Sequence, residues 1–218
     1  MPRRVSGPST RERLLAIALE EFADRGFAGA KVDRIARRAR VNKAMLYYHF
    51  RSKAGLYLAI LREQFEALGE AAASARMPDL PADEQLSRFI DAIAREANSR
   101  PYFASIWLRE IAEGGRHLDE TIVGALRRVL DTLGAILADG RTSGLLQPAH
   151  PLVIQINIVA PLMFFSASAS FRERVRHLKP AAFPMPDADT MLKHVKAATL
   201  AVLTPSPQSS PRPRRRQS

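Results

Sequence analysis

Lys31–Lys53, KVDRIARRARVNKAMLYYHFRSK, is the stretch that decides the fold. Val32, Ile35, Ala36 and Ala39 recur at i, i+3, i+4 and i+7, the spacing of one buried helical stripe. Asn42 has the side chain of an N-cap, so a second helix starts directly after it. Leu46 and Phe50, four residues apart, share one face of that helix and point back at the first. Lys43, Ala44, Met45, Tyr47, Tyr48 and His49 are left facing outward. Two short basic helices joined by a tight turn make a helix-turn-helix, with the second helix suited to a DNA major groove.

On the N-terminal side, residues 1–8 form a flexible basic arm. Ser9 and Glu12 have the spacing of a capping box that opens a helix. Leu15, Ala18, Leu19 and Phe22 give it a buried stripe, Gly26 is placed as a left-handed C-cap, and Phe27 folds back onto the small core. On the C-terminal side Ser52 caps a longer helix carrying Leu56, Ile60 and Phe65. A module of about fifty residues is marginal alone, so this fourth helix carries it into a larger body.

That body is helical throughout. Leu86, Phe89, Ile90 and Ile93 stripe one helix, and Phe103, Ile106, Trp107 and Ile111 the next. Past Gly114-Gly115, the residues Ile122, Ala125, Leu126, Val129, Leu133, Ile136 and Leu137 mark a long helix ended near Gly140 or Gly144. Pro148 and Pro151 introduce an apolar helix over 152–175, and a last helix covers 188–203. No stretch alternates with period two, so the class is all-α. The chain divides into a basic arm (1–8), a three-helix helix-turn-helix domain (9–54), a helical effector-binding and dimerisation domain (55–204) and a disordered, Pro/Ser/Arg-rich basic tail (205–218).

The net charge of +11 is unevenly placed. Residues 1–62 hold fourteen Lys and Arg against five Asp and Glu, and the last ten residues add four Arg. The middle is slightly acidic, so a polyanionic partner is expected at the front end only. With no cysteine, disulfides and thiolate metal sites are excluded, which suits a reducing cytoplasm. The run Leu152–Ala169 is interrupted by Gln155, Asn157 and Pro161, and is expected to be a buried helix, with no membrane partner.

Ala18-x3-Phe22, Gly26-Phe27, Val32-x2-Ile35-Ala36-x2-Ala39-x-Val41 and Leu46-Tyr47-Tyr48-His49-Phe50-x2-Lys53 together resemble the DNA-binding domain of the TetR (tetracycline-repressor-like) family of transcriptional regulators. The resemblance covers about fifty residues, with the family's spacing between every piece. Three positions depart from the pattern. Lys31 stands where a Ser or Thr normally caps the second helix, a loss worth about 1 kcal/mol. Arg40 replaces the usual turn Gly, and a non-Gly residue held in the left-handed region costs about 1–2 kcal/mol. Ala44 and Met45 replace the common Gly-Thr of the recognition helix.

The resemblance implies base-edge contacts from Lys43, Ala44, Met45 and Tyr47, and from Asp33 and Arg34 on the preceding helix. Lys43 would donate to guanine O6 and N7, and Ala44 and Met45 would meet thymine methyls. Tyr47, Tyr48, His49 and Lys53 would grip phosphates, Lys53 at a helix start that attracts the same anion. The basic arm, with Arg3 and Arg4, would reach a minor groove. It further implies a homodimer on a double-stranded operator, most often a repressor released by a small-molecule effector. Phe103, Trp107, Met163, Phe164 and Phe165 are the apolar candidates for the effector site, with Arg109, Glu110, Gln155 and Asn157 as polar anchors. Leu152–Ala169 together with Met191, Leu192, Val195, Ala198 and Val202 is the candidate dimer face. No nucleophile elbow, phosphate-binding loop or metal-ligand spacing is present, so no enzyme, cofactor or metal is expected. His117, His150, His177 and His194 are expected at the surface or at caps. An effector-independent or architectural DNA-binding protein is the alternative.

Overall fold

The computed structural model describes residues 8–100, 102–178 and 184–205. Among them every regular element is an α-helix: α1 (Thr10–Gly29), α2 (Val32–Arg38), α3 (Lys43–Phe50), α4 (Lys53–Ala75), α5 (Ala82–Ser99), α6 (Phe103–Ala112), α7 (Glu120–Thr142), α8 (Pro151–Ala167), α9 (Ala169–Leu178) and α10 (Ala188–Leu203). The arm carrying Arg3 and Arg4 and most of the basic tail lie outside the described residues. No single helix is long and apolar enough to cross a membrane.

α1 begins at the capping box. Ser9 Oγ accepts from Glu12 N–H at 3.2 Å, and Glu12 Oε2 accepts from Ser9 N–H at 2.7 Å. Leu14, Leu15, Ala18 and Phe22 form its buried stripe. At Gly26 the backbone swings to φ +67°, ψ 175°, a conformation only glycine adopts without strain, and the chain makes one more short turn to Gly29. A β-carbon there would also meet Arg109 Nη1 at 2.8 Å.

α2 has no side-chain cap at Lys31, as expected from its sequence. A substitute comes from α1: the buried carboxylate of Glu21 accepts a long hydrogen bond from Lys31 N–H (3.4 Å) and a short one from Arg34 Nε (2.6 Å). An anion at a helix N-terminus also answers its positive dipole end. Arg40 sits at φ +55° in the turn that follows, the left-handed conformation expected of it. Asn42 then caps α3, accepting from Ala44 N–H at 3.0 Å. Leu46 and Phe50 are buried against α1 and α4, each worth about 1.5–3 kcal/mol in apolar burial. Ser52 caps α4 by accepting from Gly55 N–H at 2.9 Å.

α4 runs from the small module into the body, where it packs along α5 and α7. α8 and α10 pack side by side, and both contact α5. One continuous apolar core links the two parts, from Leu14 and Phe22 through Leu56, Ile60 and Phe65 to Phe89, Ile93, Leu133 and Ile158.

Two expectations for the body need correction. The helix expected over 152–175 is two helices, bent by 51° at Ser168. Ser168 Oγ donates to Phe165 O at 3.2 Å, and the Arg172 guanidinium bonds the same carbonyl, so polar groups hold the break. On α6 the stripe turns from Phe103 through Ile106 to Glu110, which is buried, while Ile111 is exposed.

Candidate nucleic-acid interface and body cavity

Lys43, Ala44, Met45, Tyr47 and Tyr48 all project from the exposed face of α3. Tyr48 is the most open of them, at 79% exposure, so it is no part of the small core. His49 is half-buried beside Tyr48 and Phe50, and its Nε2 is buried without a partner among the described residues. Asp33 and Lys43 do not project independently: Lys43 Nζ lies 2.8 Å from Asp33 Oδ1. That hydrogen bond raises the Lys43 ammonium above its ordinary pKa, so it stays charged. A Lys held against a carboxylate must leave it, or be aimed by it, to reach a base edge.

Two expected DNA contacts face inward. Arg34 donates to buried Glu21 and, through Nη2, to Gly29 O at 3.3 Å. Its guanidinium ties α2 to α1 through Nε and Nη2 and stays about a quarter exposed. Lys53 Nζ donates to Phe27 O at 2.8 Å and Ala30 O at 3.1 Å, and lies 4.6 Å from the centre of the Phe27 ring. It closes the C-terminal turn of α1, where free carbonyls attract a cation, and two of its three N–H donors are used there. Exposed cations around the same face include Lys31, Arg37, Arg40 and Arg51. Arg51 takes φ +63° at the end of α3, a second strained position that sequence reading missed.

The body contains a cavity of about 370 Å³ between α4, α5, α6, α7 and α8. Four of the expected effector residues line it: Phe103, Trp107, Gln155 and Met163. Arg109, Glu110, Asn157, Phe164 and Phe165 do not. Arg109 turns toward the helix-turn-helix module, with Nη2 3.4 Å from Asp24 O. Asn157 and Phe164 are exposed on the opposite side of α8. Phe65, Leu68, Ile93, Leu126, Leu130 and Val159 complete the apolar wall.

Between this cavity and the module lies a polar joint built on Glu110, which the sequence assigns instead to the effector site. Glu110, only 1% exposed, accepts from Tyr57 Oη (3.1 Å) and from His117 N–H (2.8 Å), with His117 Nδ1 at 3.0 Å. Burial, with the Glu110 carboxylate adding to it, pushes the Tyr57 hydroxyl well above its ordinary pKa and keeps it a donor. Tyr57 and His117 both pack on Phe27, at 5.2 and 4.4 Å between ring centres. His117 is therefore neither a surface group nor a cap. His150 is a cap, accepting from Leu152 N–H at 3.2 Å, and His194 is exposed. The signal for Glu110 and Glu21 was present: each carboxylate sits on the buried stripe of its own helix, where an unpaired acid would be too costly to keep. No group of residues able to hold a metal ion occurs among the described residues.

The family model for bacterial regulatory proteins of the tetR family matches residues 14–60, the segment from α1 into α4. The HTH-type transcriptional regulator RutR of Escherichia coli (strain K12) is 28% identical over 141 residues, 65% of this chain. That match spans just under two thirds, 66%, of RutR's own length. The HTH-type transcriptional repressor NicS of Pseudomonas putida is 28% identical over 166 residues, covering 72% of this chain and 74% of NicS. The HTH-type transcriptional activator FasR of Mycolicibacterium smegmatis is 46% identical over 65 residues, 30% of each chain. A tetR-family regulatory protein from Rhodococcus RHA1 superposes with a TM-score of 0.75 at 19% identity, covering 91% of this chain and 99% of that one, which shows a shared fold. The helix-turn-helix on its lever helix, the all-helical body and these matches agree: residues 14–60 carry the DNA-binding domain of the tetR family of bacterial regulatory proteins, and the chain as a whole shares the fold of that family's solved members.

Proposed function

We propose that the protein is a homodimeric, sequence-specific repressor released from its operator when a small molecule enters the body cavity. The observation that carries this reading is the double role of α6. Phe103 and Trp107 on one face line the cavity, while Arg109 and Glu110 on the other touch α1, Tyr57 and His117. A ligand that moves α6 therefore moves groups in contact with the DNA-reading module. Such a ligand acts only by binding the DNA-free state more tightly, with a typical coupling of about 1–3 kcal/mol.

On DNA, α3 enters the major groove with Lys43, Ala44, Met45 and Tyr47 toward base edges and Tyr48 and His49 toward phosphates. The dimer sets two copies of α3 about 34–36 Å apart, one helical turn of DNA. Its face is the exposed side of α8 and α10. Val153 and Phe164 are 53% and 71% exposed, and Ala198 and Val202 lie on the outer side of α10. Val195 and Leu203 belong instead to the core of the single chain, since both are buried in it. A helix apolar on every side is stable in water only when every side is covered. The proposed setting is the cytoplasm, where the operator lies.

Selection of bound sites from random duplexes by the purified protein tests the reading. A near-palindromic consensus is expected, bound with two protomers per site. Recovery of unrelated sequences with no half-site repeat would favour the architectural alternative.

A further inference from the structure

The cavity's lining constrains what it accepts. Of its sixteen lining side chains none is ionisable, and fifteen are apolar. The charged groups of α6 face the other way, Arg109 toward Asp24 O and Glu110 toward Tyr57 and His117. A carboxylate or ammonium entering this space would lose its water and meet no counter-charge, a penalty that buried charges avoid by not entering. The remaining polar group is Gln155, whose Oε1 is buried with no hydrogen-bond partner among the described residues. An orphaned buried carbonyl is itself unfavourable, and a donor supplied by a ligand relieves it. Phe65 meets Phe103 and Trp107 edge-to-face, at 5.2 and 4.7 Å between centres, so aromatic surfaces dominate one wall. A volume of about 370 Å³ lies at the small end of ligand sites.

From these features we infer that the cavity binds a neutral, mainly apolar ring compound carrying one hydrogen-bond donor, which is received by Gln155 Oε1. A carboxylate or amine held inside finds no counter-charge in this lining. The inference deepens the proposed effector site and rests on that assignment of the cavity, but ligand class and release from DNA are separable by measurement.

Trp107 is the chain's single tryptophan, so its emission reports on this cavity alone. Full-length protein without DNA is titrated with para-butylphenol, its methyl ether and para-butylbenzoate, with calorimetry as a second readout. The phenol should shift the emission and saturate. The ether, lacking the donor, should bind about three- to tenfold more weakly, the loss of one hydrogen bond. The benzoate should leave the emission unchanged over the same range. In Gln155→Met the phenol and ether should bind alike; in the wild-type chain alone, the three-probe comparison decides the matter if that variant does not fold. Equal binding of benzoate and phenol, equal binding of ether and phenol to the wild type, or no binding of any probe would overturn the inference. A phenol that binds yet leaves the protein–DNA complex intact upholds the ligand class and removes the effector role.

Discussion

At the scale of single residues, cations of the helix-turn-helix divide into those that hold the module and those that face outward. Lys53 donates to two carbonyls at the end of α1. Lys53→Ala should therefore lower stability by about 1.5–3 kcal/mol, seen as a fall in Tm, and leave the salt dependence of DNA binding nearly unchanged. A flattened salt slope at unchanged Tm would return Lys53 to a phosphate. Lys43 should behave in the opposite way: Lys43→Ala keeps Tm and alters the preferred base at one operator position, read from a selected-site profile. Asp33 faces the same surface and holds Lys43 at 2.8 Å. Asp33→Asn removes a negative charge beside the DNA path and releases the ammonium. Tighter binding to random duplex is expected by fluorescence anisotropy, and unchanged affinity would show that the pair does not restrain Lys43. Sequence could nominate these residues because their positions along α2 and α3 are local facts. It could not say that Lys53 and Arg34 bond within the module, because their partners lie 13 to 26 positions away, at Glu21, Ala30 and Phe27.

At the scale of elements, the module is held by substitutes for ordinary capping chemistry. Glu21 stands in for the missing cap of α2, so Glu21→Ala should cost about 2 kcal/mol, the loss of a charge-assisted hydrogen bond from a buried site; chemical denaturation measures it. Arg40 holds φ +55°, and Arg40→Gly should stabilise the turn by up to about 1 kcal/mol. Gly55, in the first turn of α4, has no room for any side chain: a β-carbon would lie 2.1 Å from Phe50 O. The helices of the module were legible because their caps and stripes are short-range signals, Ser9 with Glu12, Asn42 before Lys43, Ser52 before Lys53. The bend between α8 and α9 was not. A run that is apolar on every side has no period to interrupt, and the groups that hold the bend, Ser168 and Arg172, act on the carbonyl of Phe165. Ile111 and Glu110 exchanged places for a related reason: an acid scores as surface until its partners, Tyr57 and His117, are seen to converge on it.

At the scale of the whole molecule, the proposed regulation needs two chains and one path between cavity and DNA. Val153→Arg combined with Phe164→Glu should yield a folded monomer by analytical ultracentrifugation, with helix content retained by circular dichroism and operator affinity strongly reduced. A dimer that persisted would place the interface elsewhere. The proposed path runs through α6, and neither the cavity nor the joint at Glu110 could be assembled from sequence, since both need helices far apart in the chain. The central claim, that α3 on this scaffold reads a particular DNA sequence, has a direct test. Affinity of the purified protein for its selected site is compared with its affinity for random duplex at physiological salt. The selected site should bind at least about a thousandfold more tightly, the range of specific regulators; equal affinity for the two would contradict sequence-specific reading by α3.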